Sequence, residues 1–140
     1  MTYTEHRKQL QKDISDFPLF FAFSQEQFND GLKKLGVSED EVLSTSVGAC
    51  IRKKDEQAYI DMFKNSSKRL QALVDADRYG SNFVKGMFLY EMVNHEYGYT
   101  YELEDTLNAL GFSYDDIENN PALKNGLNLA IEKYQNSEVE

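Results

Sequence analysis

The chain has no tryptophan and only one cysteine, Cys50, in its 140 residues. A single thiol excludes an intrachain disulfide and points to a reducing compartment. Proline occurs twice, at Pro18 and Pro121, so helices can run undisturbed between those points. Long apolar runs are missing too. The longest, Leu19 to Phe23, falls far below the roughly 20 residues that cross a bilayer. Residues 1–10 have no apolar signal-peptide core. The expectation from these absences is a soluble, cytoplasmic protein with no membrane partner.

One further absence carries more information. Between Gly86 and Leu123 there is no lysine and no arginine, although Lys85 and Lys124 flank the stretch. It holds eight carboxylates: Glu91, Glu96, Glu102, Glu104, Asp105, Asp115, Asp116 and Glu118. Residues 1–85 are charge-balanced, so nearly all of the formal charge of −9 sits in this one segment. Segregated charge makes a directional field that favours a basic partner and opposes binding to phosphate backbones.

What remains reads as helix almost throughout. Tyr3, Leu10, Ile14 and Phe17 share one face of a first helix that Pro18 ends. Ser24 with Gln27 has the spacing of a capping box, and Phe23 and Phe28 stand where a hydrophobic staple pairs them. That helix should stop at Gly36. A helix opening at Asp55 has a weak point at Ser66-Ser67 and breaks at Tyr79-Gly80-Ser81. The next runs from Phe83 to about Tyr97 and ends at Gly98. Asn120 caps a last helix, with Pro121 at its favoured first position. Gly31, Gly86 and Gly126 lie inside helical patterns, where close helix approach is the usual reason for a glycine.

A short internal echo stands out. Leu32-x-x-Leu35-Gly36-Val37-Ser38-x-x-Glu41-Val42 parallels Leu107-x-x-Leu110-Gly111-Phe112-Ser113-x-x-Asp116-Ile117. Each copy reads as helix, glycine stop, hydrophobic residue, serine cap, helix. Convergence on sound corner chemistry is the expectation, rather than duplication. Between Ser44 and Lys54 the pattern is that of a loop or short strand, whose only evident partner is Leu19 to Phe23. The fold class expected is mainly α: a compact single-domain bundle of six or seven helices over residues 1–140, with a small two-stranded β element. Phe23, Phe28, Leu32, Leu35, Leu70, Phe88, Leu107, Leu110 and Ile131 are the expected shared core.

Candidate sites are few. The turn before Ser38 resembles the entry to a helix-turn-helix reading helix, yet Glu39, Asp40 and Glu41 follow where base-reading side chains belong. Direct DNA binding is therefore not expected. Glu91 and His95 are four apart on a helix and could contribute two metal ligands. They fall short of a first shell, so no metal and no cofactor is expected, and His95 is expected to bond a helix terminus or a carboxylate. Cys50 has Arg52, Lys53 and Lys54 nearby but no histidine placed by sequence, which favours a small buried hydrophobe over a nucleophile. Asp115, Asp116 and Glu118 lack the ligand alternation of a calcium loop. The Arg52-Lys53-Lys54 pole is diluted by Asp55, Glu56 and Asp61. No catalytic signature is present.

Several segments resemble a known family. They are Phe20-Phe21-Ala22-Phe23-Ser24-x-x-Gln27-Phe28-x-x-Gly31-Leu32-x-x-Leu35-Gly36, Ile51-Arg52-Lys53-Lys54-Asp55, Met87-Phe88-Leu89-Tyr90-Glu91-x-x-Asn94-His95-Glu96-Tyr97, and Glu104-Asp105-Thr106-Leu107-x-x-Leu110-Gly111. Together they resemble short proteins carried by bacteriophages and bacterial mobile elements, to which no activity is attached. Small acidic proteins in that setting are often anti-defence factors, anti-CRISPR proteins included. The resemblance implies a non-enzymatic protein that inhibits a basic host protein, such as a nucleic-acid-binding defence nuclease. The residues expected to meet that partner are Glu102, Glu104, Asp105, Asp115, Asp116 and Glu118. Two other functions compete with it: a small regulatory or structural phage protein that self-assembles, and a metal-dependent enzyme built on Glu91 and His95.

Overall fold

A computed structural model describes residues 1–95, 97 and 102–139. Its helices are α1 (Tyr3–Asp16), α2 (Gln25–Leu35), α3 (Glu56–Ala76), α4 (Phe83–Asn94), α5 (Glu104–Leu110), α6 (Tyr114–Asn119) and α7 (Pro121–Val139). Three short strands join them: β1 (Leu19–Phe21), β2 (Val42–Ser44) and β3 (Ala49–Arg52). The protein is mainly helical, as its periodicity implies. Glu96 and the expected helix stop at Gly98 lie outside the described residues. The chain divides into two compact units, Leu10–Ser67 and Met1–Gln9 with Lys68–Glu140. The division falls after Ser67, within α3. That helix nonetheless runs unbroken through Ser66 and Ser67, the pair read as its weak point.

In the unit Leu10–Ser67 the sheet is antiparallel with order β1-β3-β2. Leu19 lies opposite Ile51, and Ile51 opposite Leu43. The central strand β3 carries the buried side chains Ala49, Cys50 and Ile51. The expected two-stranded element is thus three-stranded, and the missed strand is β2. Helix α2 packs on β1 where Gly31 faces the Phe20 ring. A Cβ at Gly31 would stand 2.1 Å from that ring, so only glycine lets the helix approach so closely.

The echo is half true. Gly36 and Gly111 both take left-handed conformations, with φ of 71° and 77°. In both copies the next residue closes the same hydrogen bond: Val37 N–H donates to Leu32 O at 3.1 Å, and Phe112 N–H to Leu107 O at 3.0 Å. That is the helix-ending motif in which the residue after the glycine reaches back to the last full turn. Past the serine the copies part. Ser113 N–H donates to Asp116 Oδ2 at 2.8 Å, Asp116 N–H donates to Ser113 Oγ at 3.1 Å, and α6 follows. Ser38 begins only a 3₁₀ turn, Glu39–Glu41, and Val42 enters β2 instead of continuing as a helix. The reason is local and tertiary together. Val42-Leu43-Ser44-Thr45 is a β-favouring run, and β3 offers it a partner.

Ser24 caps α2 as expected, accepting from Gln27 N–H at 3.2 Å. The Gln27 side chain, however, accepts from Phe23 N–H at 2.8 Å. The expected staple is not the main packing of its residues. Phe23 is 78% exposed, with its ring against Gly48, while Phe28 meets Phe20. Phe23 therefore does not belong to the core. Phe28, Leu32 and Leu35 are only half-buried in this unit.

The core of the other unit is built on α4. Val84, Met87, Phe88 and Met92 are fully enclosed, joined by Leu107, Ile117, Leu123, Leu127 and Ala130. Leu70, Leu110 and Ile131 pack against them. Asn120 Oδ1 accepts from Ala122 and Leu123 N–H to cap α7, and α7 lies closely along α4. The approach runs through two glycines. A Cβ on Gly80 would meet Ala122 O at 1.8 Å, and one on Gly126 would meet Gly80 O and Val84 Cγ1 at 2.5 Å. Gly86 is different: among the described residues nothing lies within 4 Å of its missing Cβ, so the close approach expected there is not made by any of them.

Gly86 and Gly126 should therefore respond oppositely to alanine. Gly86→Ala should raise stability by about 0.5–1 kcal/mol through helix propensity alone. Gly126→Ala should lower it by about 1–3 kcal/mol through overpacking. Urea unfolding of both variants checks the pair, and a Gly86→Ala that destabilises contradicts this packing. By the same method Ser113→Ala should cost about 1 kcal/mol.

Candidate functional site

The acidic stretch separates into two environments. Glu102, Glu104, Asp105, Asp115, Asp116 and Glu118 are all exposed. Glu91 is only 2% exposed and sits in the core.

The exposed set surrounds the corner at Gly111, with α5 on one arm and α6 on the other. Glu104 and Asp105 occupy the first turn of α5, and Asp115 and Asp116 the first turn of α6. Negative charge is favoured there by the unpaired N–H groups of the helix start. Their position thus has a local cause apart from any partner. Asp116 is further committed to the capping box with Ser113. Glu118 takes Lys124 Nζ at 3.0 Å, an exposed pair that contributes little to stability. Glu104, Asp105 and Asp115, also exposed at the corner, take part in neither of these ties among the described residues.

Glu91 is the organising group of the interior. Tyr3 Oη donates to its Oε1 at 2.5 Å, and Arg7 Nη1 donates to the same oxygen at 3.1 Å. His95 Nε2 lies 3.2 Å from Oε2. A carboxylate buried without such donors would be strongly unfavourable. Helix α1 supplies two donors because Tyr3 and Arg7 are four apart and share a face. His95 supplies the third from the end of α4, where its own N–H closes the last turn on Glu91 O at 2.9 Å. The expectation that His95 bonds a neighbouring carboxylate is met. Aromatic rings enclose the group: Tyr3 meets Tyr90 edge-on at 5.5 Å and Phe83 at 6.0 Å, and the Arg7 guanidinium stands 4.9 Å from the Tyr90 ring centre. Burial, then the hydrogen bond to Glu91, pushes the Tyr3 phenol up from 10.0 to about 12.

Next to this cluster Thr4, Gly86, Leu89, Tyr90, Val93 and Asn94 line an open groove of about 430 Å³. Gly86 lies in it with no neighbour over its Cα. Among the described residues, no three of His, Cys, Asp and Glu come together as a metal site would require. Both Glu91 oxygens are already engaged. Cys50 is buried in β3 with Ser44 Oγ 3.7 Å from its Sγ, and Arg52 pairs instead with Asp55.

The four-residue spacing from Glu91 to His95 was visible in the sequence. In the sequence Tyr3 shows only as part of the apolar face of the first helix and Arg7 carries no signal of its own, although their four-residue spacing puts both on one face. Their partnership with Glu91, more than eighty positions away, leaves no local sign.

Residues 2–133 match the model of a family of unknown function, DUF7659, and the chain belongs to that family. No curated protein and no solved structure matches it.

The hub makes one stability prediction. Tyr3→Phe deletes a hydrogen bond to a buried charged group and should cost about 1.5–3 kcal/mol in urea unfolding. A phenol with a raised folded value contributes fully below about pH 10 and loses that contribution as pH climbs toward 12. The parent-minus-variant absorbance titration should show a phenol ionising near 12. An ionisation at the ordinary value of 10.0 would contradict the burial described.

Proposed function

We propose that the protein is a non-enzymatic binding protein that engages a basic protein partner through the carboxylates of the Gly111 corner. One observation carries the reading: all six carboxylates from Glu102 to Glu118 are exposed, in a segment that contains no lysine or arginine of its own. The scaffold under them suits recognition. The left-handed Gly111 and the Ser113 capping box set the angle of the two arms, so little order has to be gained on binding. A partner with complementary charge associates faster and discriminates against other surfaces.

Within the family resemblance drawn from the sequence, the partner is a host nuclease whose cationic channel grips nucleic acid. Carboxylates presented on a short helical corner occupy such a channel in place of phosphates, and inhibition follows. The repulsion between a chain of this charge and DNA excludes it from binding the duplex itself.

The test compares the parent with a variant carrying Glu104→Lys, Asp105→Lys and Asp115→Lys. Asp116 is left alone because reversing it would also remove the cap. Circular dichroism should show the fold retained. In pull-downs from host lysate the parent should retain a basic partner that the variant loses, and binding of the purified pair should weaken at least about tenfold as salt rises. Recovery of the same partners by both proteins would remove the support for an acidic interface.

A further inference from the structure

The hub at Glu91 does not account for His6. This residue is 5% exposed and lies on α1 between Tyr3 and Arg7. Arg69 Nε, on α3, donates to His6 Nδ1 at 2.9 Å, and Arg69 Nη2 donates to the His6 carbonyl at 3.3 Å. A guanidinium is always protonated and can only donate. The imidazole nitrogen it meets must therefore be bare, which makes His6 neutral and puts its one proton on Nε2.

We propose that His6 is an acid-sensitive latch: neutral, it holds the first two turns of α1 on α3, and protonated, it releases them. A proton on Nδ1 would point at the Arg69 N–H and leave both donors without an acceptor. The charged groups that bear on His6 make this worse. Arg69 faces it from α3 and Arg7 adjoins it on α1, and both are cations. From α4, Glu91 and Tyr90 reach Arg7 and Tyr3, and His95 touches Glu91. The Glu91 carboxylate is thus already shared among other donors. Tyr3, with its ring 6.1 Å from the imidazole, offers no compensating charge. Burial first, then Arg69 and Arg7, holds His6 below the usual histidine value of 6.5.

The sign follows from this direction. A group with a depressed folded value stabilises the fold above its unfolded value and loses that contribution as pH falls through the folded one. The latch is therefore closed above about pH 6.5 and opens as pH falls from there through the lower folded value. Release has a consequence at α4. The same two turns carry Tyr3 and Arg7, the donors to Glu91 Oε1, and Thr4, one wall of the groove beside Gly86. Acid would uncover that groove and take two donors from Glu91 together. This inference does not depend on the acidic corner.

Hydrogen exchange read residue by residue provides the test, with protection factors corrected for intrinsic rates. The full chain is followed from about pH 7.5 to about pH 5, the interval in which an imidazole titrates. Parent residues 3–9 should lose protection about tenfold or more in that interval, while Leu123–Ile131 in α7 keep theirs. His6→Asn keeps an acceptor for Arg69 but cannot take up a proton there, so it should show no such step. A step of equal size in His6→Asn overturns the proposal, as does simultaneous loss in α7 or no loss in the parent. Imidazole ¹⁵N shifts of the parent provide a readout that needs no variant. They should report Nε2–H at neutral pH and a midpoint below 6.5, and an Nδ1–H tautomer or a higher midpoint would refute the latch.

Discussion

A carboxylate that leaves water must find donors, and the unit containing α4 is arranged around that requirement. Glu91 lies on α4, the helix on which the core of this unit is built. Its Oε1 draws Tyr3 and Arg7 inward from α1, and its Oε2 faces His95 at the end of α4. One side chain thereby fixes the position of the N-terminal turns and the close of a helix. Such an arrangement is no bargain in energy, because desolvation cancels much of the attraction. What it confers is geometry. An apolar residue at position 91 would leave the Arg7 guanidinium and the Tyr3 hydroxyl without this acceptor, and the docking of the first turns of α1 would then rest on the His6–Arg69 contact and on ring packing.

The same group shows how charge in a sequence can mislead. By composition Glu91 belongs with the acidic stretch, and nothing in spacing separates it from Glu102 or Glu118. Burial divides them. Glu91 sits on a helix with apolar residues all round, so it turns into the core. Of the others, Glu104, Asp105, Asp115 and Asp116 stand in the first turns of short helices, where exposed N–H groups favour negative charge. Two physical causes thus produced one run of carboxylates. Only the second leaves charge on the surface where a partner could meet it.

Much of the helical plan was legible because it rests on local chemistry. Ser24, Ser113 and Asn120 cap helices, and Gly36 and Gly111 end them, since each signal acts within one or two turns. The mainly helical class followed from periodicity in the same way. The misses arise where distant pairing overrides local preference. Ser38 and Glu41 carry cap chemistry, yet Val42–Ser44 becomes a strand because β3 is there to receive it. Phe23 has staple spacing but leans on Gly48 of the turn after β2. The surface residues of the candidate interface were readable as a run of charge. The Tyr3–Arg7–Glu91 hub and the His6–Arg69 contact were not, because they join segments far apart in the chain.

The meeting of Gly80 with Gly126 bears on how the protein can tolerate change. Most neighbouring helices are separated by side chains, which can tilt or shorten when one partner is altered. Here backbone stands against backbone, with Gly80 O 2.5 Å from where a Gly126 Cβ would sit. No soft layer remains to absorb a shift. The start of α4 and the middle of α7 consequently behave as one rigid joint whose spacing cannot be adjusted by degrees. Length changes in the chain between them must be taken up away from this contact, leaving the joint itself as the fixed datum from which the other parts of this unit are measured.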